Sequence, residues 1–285
     1  MVIVITGIIG GMVAVFLKAP IQQYMDVSRR AEMTDIADTA LRRIGRDLRL
    51  ALPNSVHVTG ACGGAGTTCF IEFLPTTGGG RYRAGIGSGA SAGCTSLALD
   101  VLDFAAPDTC FEVLGAMPSP AVNAGDQIVV YNLGISDITR GSNAYDGKTT
   151  TAHNRRAVNV VGAKTLTITS ANPLPFDSPS HRFQVITTPV TYVCAPATNA
   201  AGNGTGTLTR YWGYAIQTPQ PTALGTLTAV VNPGALLANN VSACNFVYDP
   251  NVVAQRSGLV TMNLGITESG ETVTLYSATH VSNVP

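Results

Sequence analysis

Residues 24–52 read YMDVSRRAEMTDIADTALRRIGRDLRLAL, and this stretch sets the frame for the rest of the chain. It holds no proline, and Gly45 is its only glycine. Tyr24, Val27, Ala31, Ile36, Ala37, Ala40, Leu41, Ile44, Leu48 and Leu52 recur at helical intervals, so they predict one apolar stripe on a helix. The charges fill the other face. Asp26 with Arg30 and Asp38 with Arg42 are acid-before-base pairs four residues apart, the favourable order on a helix. Pro53 and Asn54 stop the pattern. The expected packing face is Leu41, Ile44 and Leu48.

Upstream, Met1–Leu17 reads MVIVITGIIGGMVAVFL, without a charge. Seventeen residues of helix rise roughly 25 Å, a little under a hydrocarbon core of about 30 Å. No basic residue precedes the run, which argues against a cleaved secretory signal. It is read as a membrane-spanning helix (residues 1–17) whose first residues lie upstream, running through Pro20 into the amphipathic half. Residues 1–53 carry 12 of the chain's 34 charged side chains, so they form one kind of structure and 54–285 another.

After Pro53 the period falls from near 3.6 to 2. Candidate strands are Ser55–Thr59, Cys69–Leu74, Leu97–Phe104, Cys110–Leu114, Gln127–Asn132, Leu166–Thr169, Arg182–Thr187, Val190–Cys194, Thr207–Trp212, Val241–Tyr248, Leu259–Leu264 and Thr272–Ser277. No βαβ alternation occurs. The expected class is α+β: a long N-terminal helix packed on a mostly antiparallel β domain. Gly78–Gly93 and the polar stretch Gly134–Asn159, with Asp137, Asn143, Asp146, Lys148, His153, Arg155 and Arg156, read as long loops. The second is a candidate partner contact.

Seventeen basic and 17 acidic side chains give no net charge, which argues against nucleic acid as a partner. Six cysteines in a β-rich chain predict disulfides, and pairing in chain order is the simplest arrangement: Cys62 with Cys69, Cys94 with Cys110, Cys194 with Cys244. No C-x₂₋₄-C pair supports zinc. Gly89-Ala90-Ser91-Ala92-Gly93 matches a nucleophile-elbow pattern but sits in a Gly/Ser-rich run with no helix after it. His57, His153, His181 and His280 are scattered, and Asp100 and Asp103 fall on opposite faces of a strand pattern. Asp137, Asn143 and Asp146 carry oxygens suited to calcium, without the spacing of a known loop. The expectation is no enzyme activity, no catalytic residue, no cofactor and no small-molecule substrate.

ITGIIGGMVAVFLKAP (5–20), then RRAEMTDIADTALRRIGRDLRLALPNSV (29–56), resembles the type IV minor pilin and pseudopilin family, most closely its MSHA-biogenesis members. The likeness continues at GDQIVVYNLG (125–134), LTRYWGYAI (208–216), FVYDP (246–250) and HVSNVP (280–285). More distantly the layout resembles the J-type minor pseudopilin of type II secretion. The family's basic leader, its cleavage-site glycine and its Phe-Thr-Leu-Ile-Glu start are not among these residues, so the reading frame is expected to continue upstream of Met1. The resemblance implies a pilin-like fold and a minor structural subunit that starts or caps a pilus. Its partners would be other major and minor pilin subunits, met through the N-terminal helix. It would sit in the inner membrane with a periplasmic β domain before assembly, and in a cell-surface pilus afterwards. The alternatives are a secretion pseudopilin and a membrane-tethered β-rich binding module.

Overall fold

A computed structural model describes residues 2–63, 66–146, 153–228, 234–250 and 257–285. Val2–Leu48 form one helix, α1, through Pro20. Its C-terminal third supplies Met33, Ala37, Ala40, Leu41, Ile44 and Leu48, all buried, at spacings that keep them on one face. They share a hydrophobic core with Ile71, Tyr192, Phe246, Met262 and Leu264 of the sheet beneath. Two polar contacts fix the helix at either end of this face. Asp47 accepts from Tyr192 Oη at 2.7 Å, Arg210 Nε at 3.1 Å and Arg43 Nε at 3.3 Å. Arg30 donates to Glu271 through Nε at 3.1 Å and Nη2 at 2.9 Å, a two-pronged pair.

The sheet has seven strands, all pairings antiparallel: β1 (His57–Gly60), β2 (Cys69–Phe73), β9 (Val190–Ala195), β10 (Gly206–Trp212), β11 (Ala235–Asp249), β12 (Ser257–Glu268) and β13 (Glu271–Ser282), in that order. A short helix, α2 (Leu224–Thr228), lies between β10 and β11. The chain leaves this sheet after β2 and returns at β9, and Phe73 and Val190 at the two ends are register partners. Everything between closes into a six-stranded barrel: β3 (Thr76–Tyr82), β4 (Cys110–Leu114), β5 (Gln127–Val130), β6 (Arg155–Val161), β7 (Thr165–Ile168) and β8 (Arg182–Ile186), ordered β3-β4-β7-β6-β5-β8. Closure removes the open edges that such short strands would otherwise present. The barrel has its own core around Tyr82, Phe111, Ile128, Leu166 and Phe183. A third cluster, Leu52, Leu74, Val129, Ala144, Tyr145 and Ile186, joins the two bodies.

This architecture overturns the α+β, pilin-like expectation. Among the described residues strand far exceeds helix, and the β part is a barrel inserted into a sheet rather than one domain under a helix. The membrane span expected over residues 1–17 also fails. Among the described residues no helix is long and apolar enough to cross a membrane; Lys18, Pro20, Gln22 and Gln23 follow the apolar run at once. Tyr24, Val27 and Ala31, placed on the buried stripe, are exposed, because the sheet ends near Glu271 and none of the described residues covers them.

Three local expectations change as well. Leu97–Phe104 makes turns, not a strand, because the buried Asp100 side chain gathers the main chain around itself. Gly78–Gly80 belong to β3, not to a loop; a Cβ on Gly80 would lie 2.8 Å from the Phe183 ring, so glycine is what admits that ring to the barrel core. The described parts of Gly134–Asn159, residues 134–146 and 153–159, are not a free loop: Arg155 opens β6, and Asn143, Asp146, Asn154 and Arg156 are buried. Lys148 lies outside the described residues.

Candidate functional site

The most unusual surface is the first half of α1. Val2, Ile5, Ile8, Met12, Phe16, Ile21, Tyr24 and Val27 are exposed, Phe16 at 81%, whereas Met33 a few residues on is 1% exposed. Ile8, Met12 and Phe16 stand four residues apart and so share a face. Gly7, Gly10 and Gly11 have open space where a side chain would project, leaving the backbone approachable there. Uncovered apolar side chains grouped in this way are unusual on a folded chain.

The six cysteines pair in chain order: Cys62–Cys69, Cys94–Cys110 and Cys194–Cys244. Cys194 and Cys244 sit in the core under α1, tying β9 to β11 across β10. Cys69 and Cys194 are register neighbours, so two disulfides meet at one point of the sheet.

The elbow-like Ser91 donates to Cys94 O at 2.7 Å and to Asp100 Oδ1 at 2.8 Å. Asp100 also accepts from the N–H groups of Ala92 at 2.9 Å and Cys94 at 3.2 Å. These bonds hold a loop and bring no histidine to the serine. His57 stacks on Tyr145, His153 lies against Arg156, His181 faces Asp177 at 3.3 Å, and His280 faces Ser257 at 3.3 Å. Burial lowers the His57 pKa; burial and the two neighbouring guanidiniums bring His153 to about 4, so both rings are neutral at pH 7. Asp103 turns outward and caps the Ala105 N–H at 2.7 Å.

A polar group that the periodicity does not reveal lies between the two bodies. Glu72, in the fully buried strand β2, is 2% exposed. Its Oε2 accepts from Thr191 Oγ1 at 2.7 Å and Tyr214 Oη at 2.5 Å. Burial raises its pKa, and the hydroxyls of Tyr214, Thr191 and Tyr145 only partly offset this. Tyr145 Oη donates to Ser55 O at 3.1 Å nearby. The signal was a lone carboxylate inside the apolar run CFIEF (69–73). Outside it a cleft of about 600 Å³ opens between β1 and the barrel, lined by Asn54, His57, Thr59, Gly134, Gln220 and Tyr248.

Arg155 and Arg156, in the stretch expected to meet a partner, are instead used internally. Arg156 donates through Nη2 to Asn172 O at 2.8 Å and Pro173 O at 3.1 Å, and Arg155 to Gln127 Oε1. Among the described residues no group of three or more His, Cys, Asp or Glu converges as a metal cluster. Compared with family models, curated proteins and solved structures, the chain matches none.

Proposed function

We propose that the chain is a structural subunit that acts by assembly, as a minor member starting or capping a filament of the type IV pilus class. The first half of α1 packs among the helices of other pilin subunits, and the two β bodies remain outside. One observation carries this reading: the same helix that is buried from Met33 to Leu48 continues for some 25 residues with Val2, Ile8, Met12, Phe16 and Tyr24 uncovered. Burying such side chains is favourable by about 25 cal/mol per Å² of apolar surface, so an uncovered row favours association. The open space around Gly7, Gly10 and Gly11 suits close approach of a second helix. The resemblance of residues 5–56 to minor pilins and pseudopilins supports the class of filament. Three disulfides fit an oxidising compartment.

The test uses a strain lacking the gene, in which surface filaments are expected to be lost or sharply reduced while the major subunit is still made. The wild-type gene restores them. The double variant Met12→Asp/Phe16→Asp, with charges on the uncovered face, is expected to accumulate as a folded subunit yet restore none. Normal filaments with that variant, or unchanged filament number in the deletion strain, would overturn the assembly reading.

A further inference from the structure

Asp146 ends the stretch Gly134–Asp146 and is 9% exposed. Its main-chain N–H donates to Asn143 O at 3.0 Å, but among the described residues its carboxylate has no hydrogen-bond or ion-pair partner. The residue is largely enclosed and lines a cleft, so a positive charge placed in that cleft would be favoured. Among the described residues, Arg155 on β6 is a positive group close enough to interact. It feels the Asp146 charge but forms no ion pair with it and donates to Gln127 instead. Arg140, the other guanidinium of this region, donates to Pro175 O and lies over the Phe176 ring.

Asp146 faces a cleft of about 260 Å³ that it shares with Ser136, Asp137 and Ile138. Asp137 Oδ1 accepts from Thr139 N at 2.7 Å, Thr139 Oγ1 at 2.6 Å and Arg140 N at 3.0 Å, leaving Oδ2 outside this set. Ser136 Oγ accepts from Asn143 Nδ2 at 2.9 Å, which orients the hydroxyl at the cleft wall. Gly141 closes the arrangement. A Cβ there would stand 3.1 Å from both the main-chain nitrogen and the main-chain oxygen of Asp137 and 3.2 Å from Asp146 Oδ2, so these atoms border the same small space.

We propose that this loop binds a hard divalent cation, calcium, between the carboxylates of Asp137 and Asp146, with Ser136 Oγ and the Asp137 main-chain oxygen as further donors. Every donor is oxygen, which excludes the soft and borderline metals that want Cys or His. Two carboxylates with neutral oxygens and water fit the six to eight ligands that calcium takes in irregular geometry. Magnesium, which wants a near-ideal octahedron, has no such frame in an irregular loop. The cation would pin Ser136–Asp137 to Asp146. The proposal is independent of the assembly reading.

The experiment is calorimetric titration of the full-length protein, stripped with a chelator, with calcium chloride and separately with magnesium chloride. One calcium per chain is expected, with magnesium at least tenfold weaker. Asp146→Asn and Asp137→Asn are each expected to weaken calcium at least tenfold, and Gly141→Ala to weaken it measurably. Glu268→Gln, at the end of β12, should leave it unchanged. Asp137 is exposed, so Asp137→Asn decides the matter even if Asp146→Asn does not fold. The proposal fails if no saturable calcium binding occurs up to about 10 mM, ten times the weakest affinity typical of extracellular calcium modules. It also fails if magnesium binds as tightly, or if Asp137→Asn binds like wild type.

Discussion

The two halves of α1 are continuous in backbone and opposite in circumstance. From Met33 to Leu48 the apolar side chains are interior, with Ala37, Ile44 and Leu48 at 0% exposure; from Val2 to Val27 side chains of the same kind are uncovered. Helical periodicity therefore reports that a helix has an apolar face and not that the face is covered in the subunit. Cover depends on where the sheet ends, and β13 begins at Glu271, which pairs with Arg30 at the point where burial starts. Most helical stability in proteins comes from tertiary packing, so the far half rests on its own propensity in the free chain.

The largest effect expected from this contrast is at Ile44. Ile44→Asp places an unpaired carboxylate in the core and should cost about 4 kcal/mol or more, read as loss of the cooperative thermal transition. Phe16→Asp, the same class of change on the same helix, should stay within about 0.5 kcal/mol in the free subunit. Equal loss in both would show that the first half is covered within the subunit.

Next in size is the disulfide beneath the buried half. Replacing Cys194 and Cys244 together by Ala opens a 50-residue loop and should cost on the order of 4 kcal/mol in the chain-entropy picture, seen as a lower denaturant midpoint. An unchanged midpoint would mean that the core under α1 holds without the tie.

A closer bracket comes from Met33 and Val27. Met33→Ala should cost about 3 kcal/mol, as core truncations do, while Val27→Ala should be nearly silent. Comparable losses in urea would move the boundary of burial towards the N-terminus.

The smallest effect belongs to Arg30→Ala, which should shift the melting temperature only slightly because the pair is exposed and screened by salt. The hydrogen bonds from Arg30 hold the Glu271 pKa below the usual glutamate range. The unfolded state then binds more protons as acid is added, so the contribution is present above the ordinary pKa of 4.5 and is lost as pH falls through the folded value. The difference between variant and wild type should vanish in acid. A difference that persists there would assign the effect to packing of the arginine stem.

Much of the sheet was legible along the chain. β2, β4, β5 and β7–β10 lie where β-branched and aromatic residues recur between turn clusters. β11 and β12 run further than their local pattern, because hairpin pairing carries the main chain past the core; Leu236 and Val247 of β11 are exposed. β3 was hidden by Gly78–Gly80, and β6 by two arginines. Both strands depend on distant partners: the Phe183 ring over Gly80, and the main-chain oxygens of Asn172 and Pro173 that take up Arg156. Glu72 was visible as an anomaly in an apolar run, but its acceptors' partners, Thr191 and Tyr214, are more than a hundred residues away. Of the oxygen donors near Asp146, the residue types were evident and their convergence at Gly141 was not.

The sequence by itself determined what short-range forces decide. It set the helix from its 3.6-residue period, the strands from β-branched alternation, the turns from Gly, Pro and Asn, and the absence of net charge. Tertiary structure alone decided that residues 76–186 close on themselves as a barrel between two paired strands, since β3–β8 and β5–β8 pairings join segments with no local mark of one another. It also decided which half of one apolar helix is core and which is surface. Both outcomes turn on contacts between residues far apart in the chain, and the free energy of such contacts is not a property of any stretch taken alone.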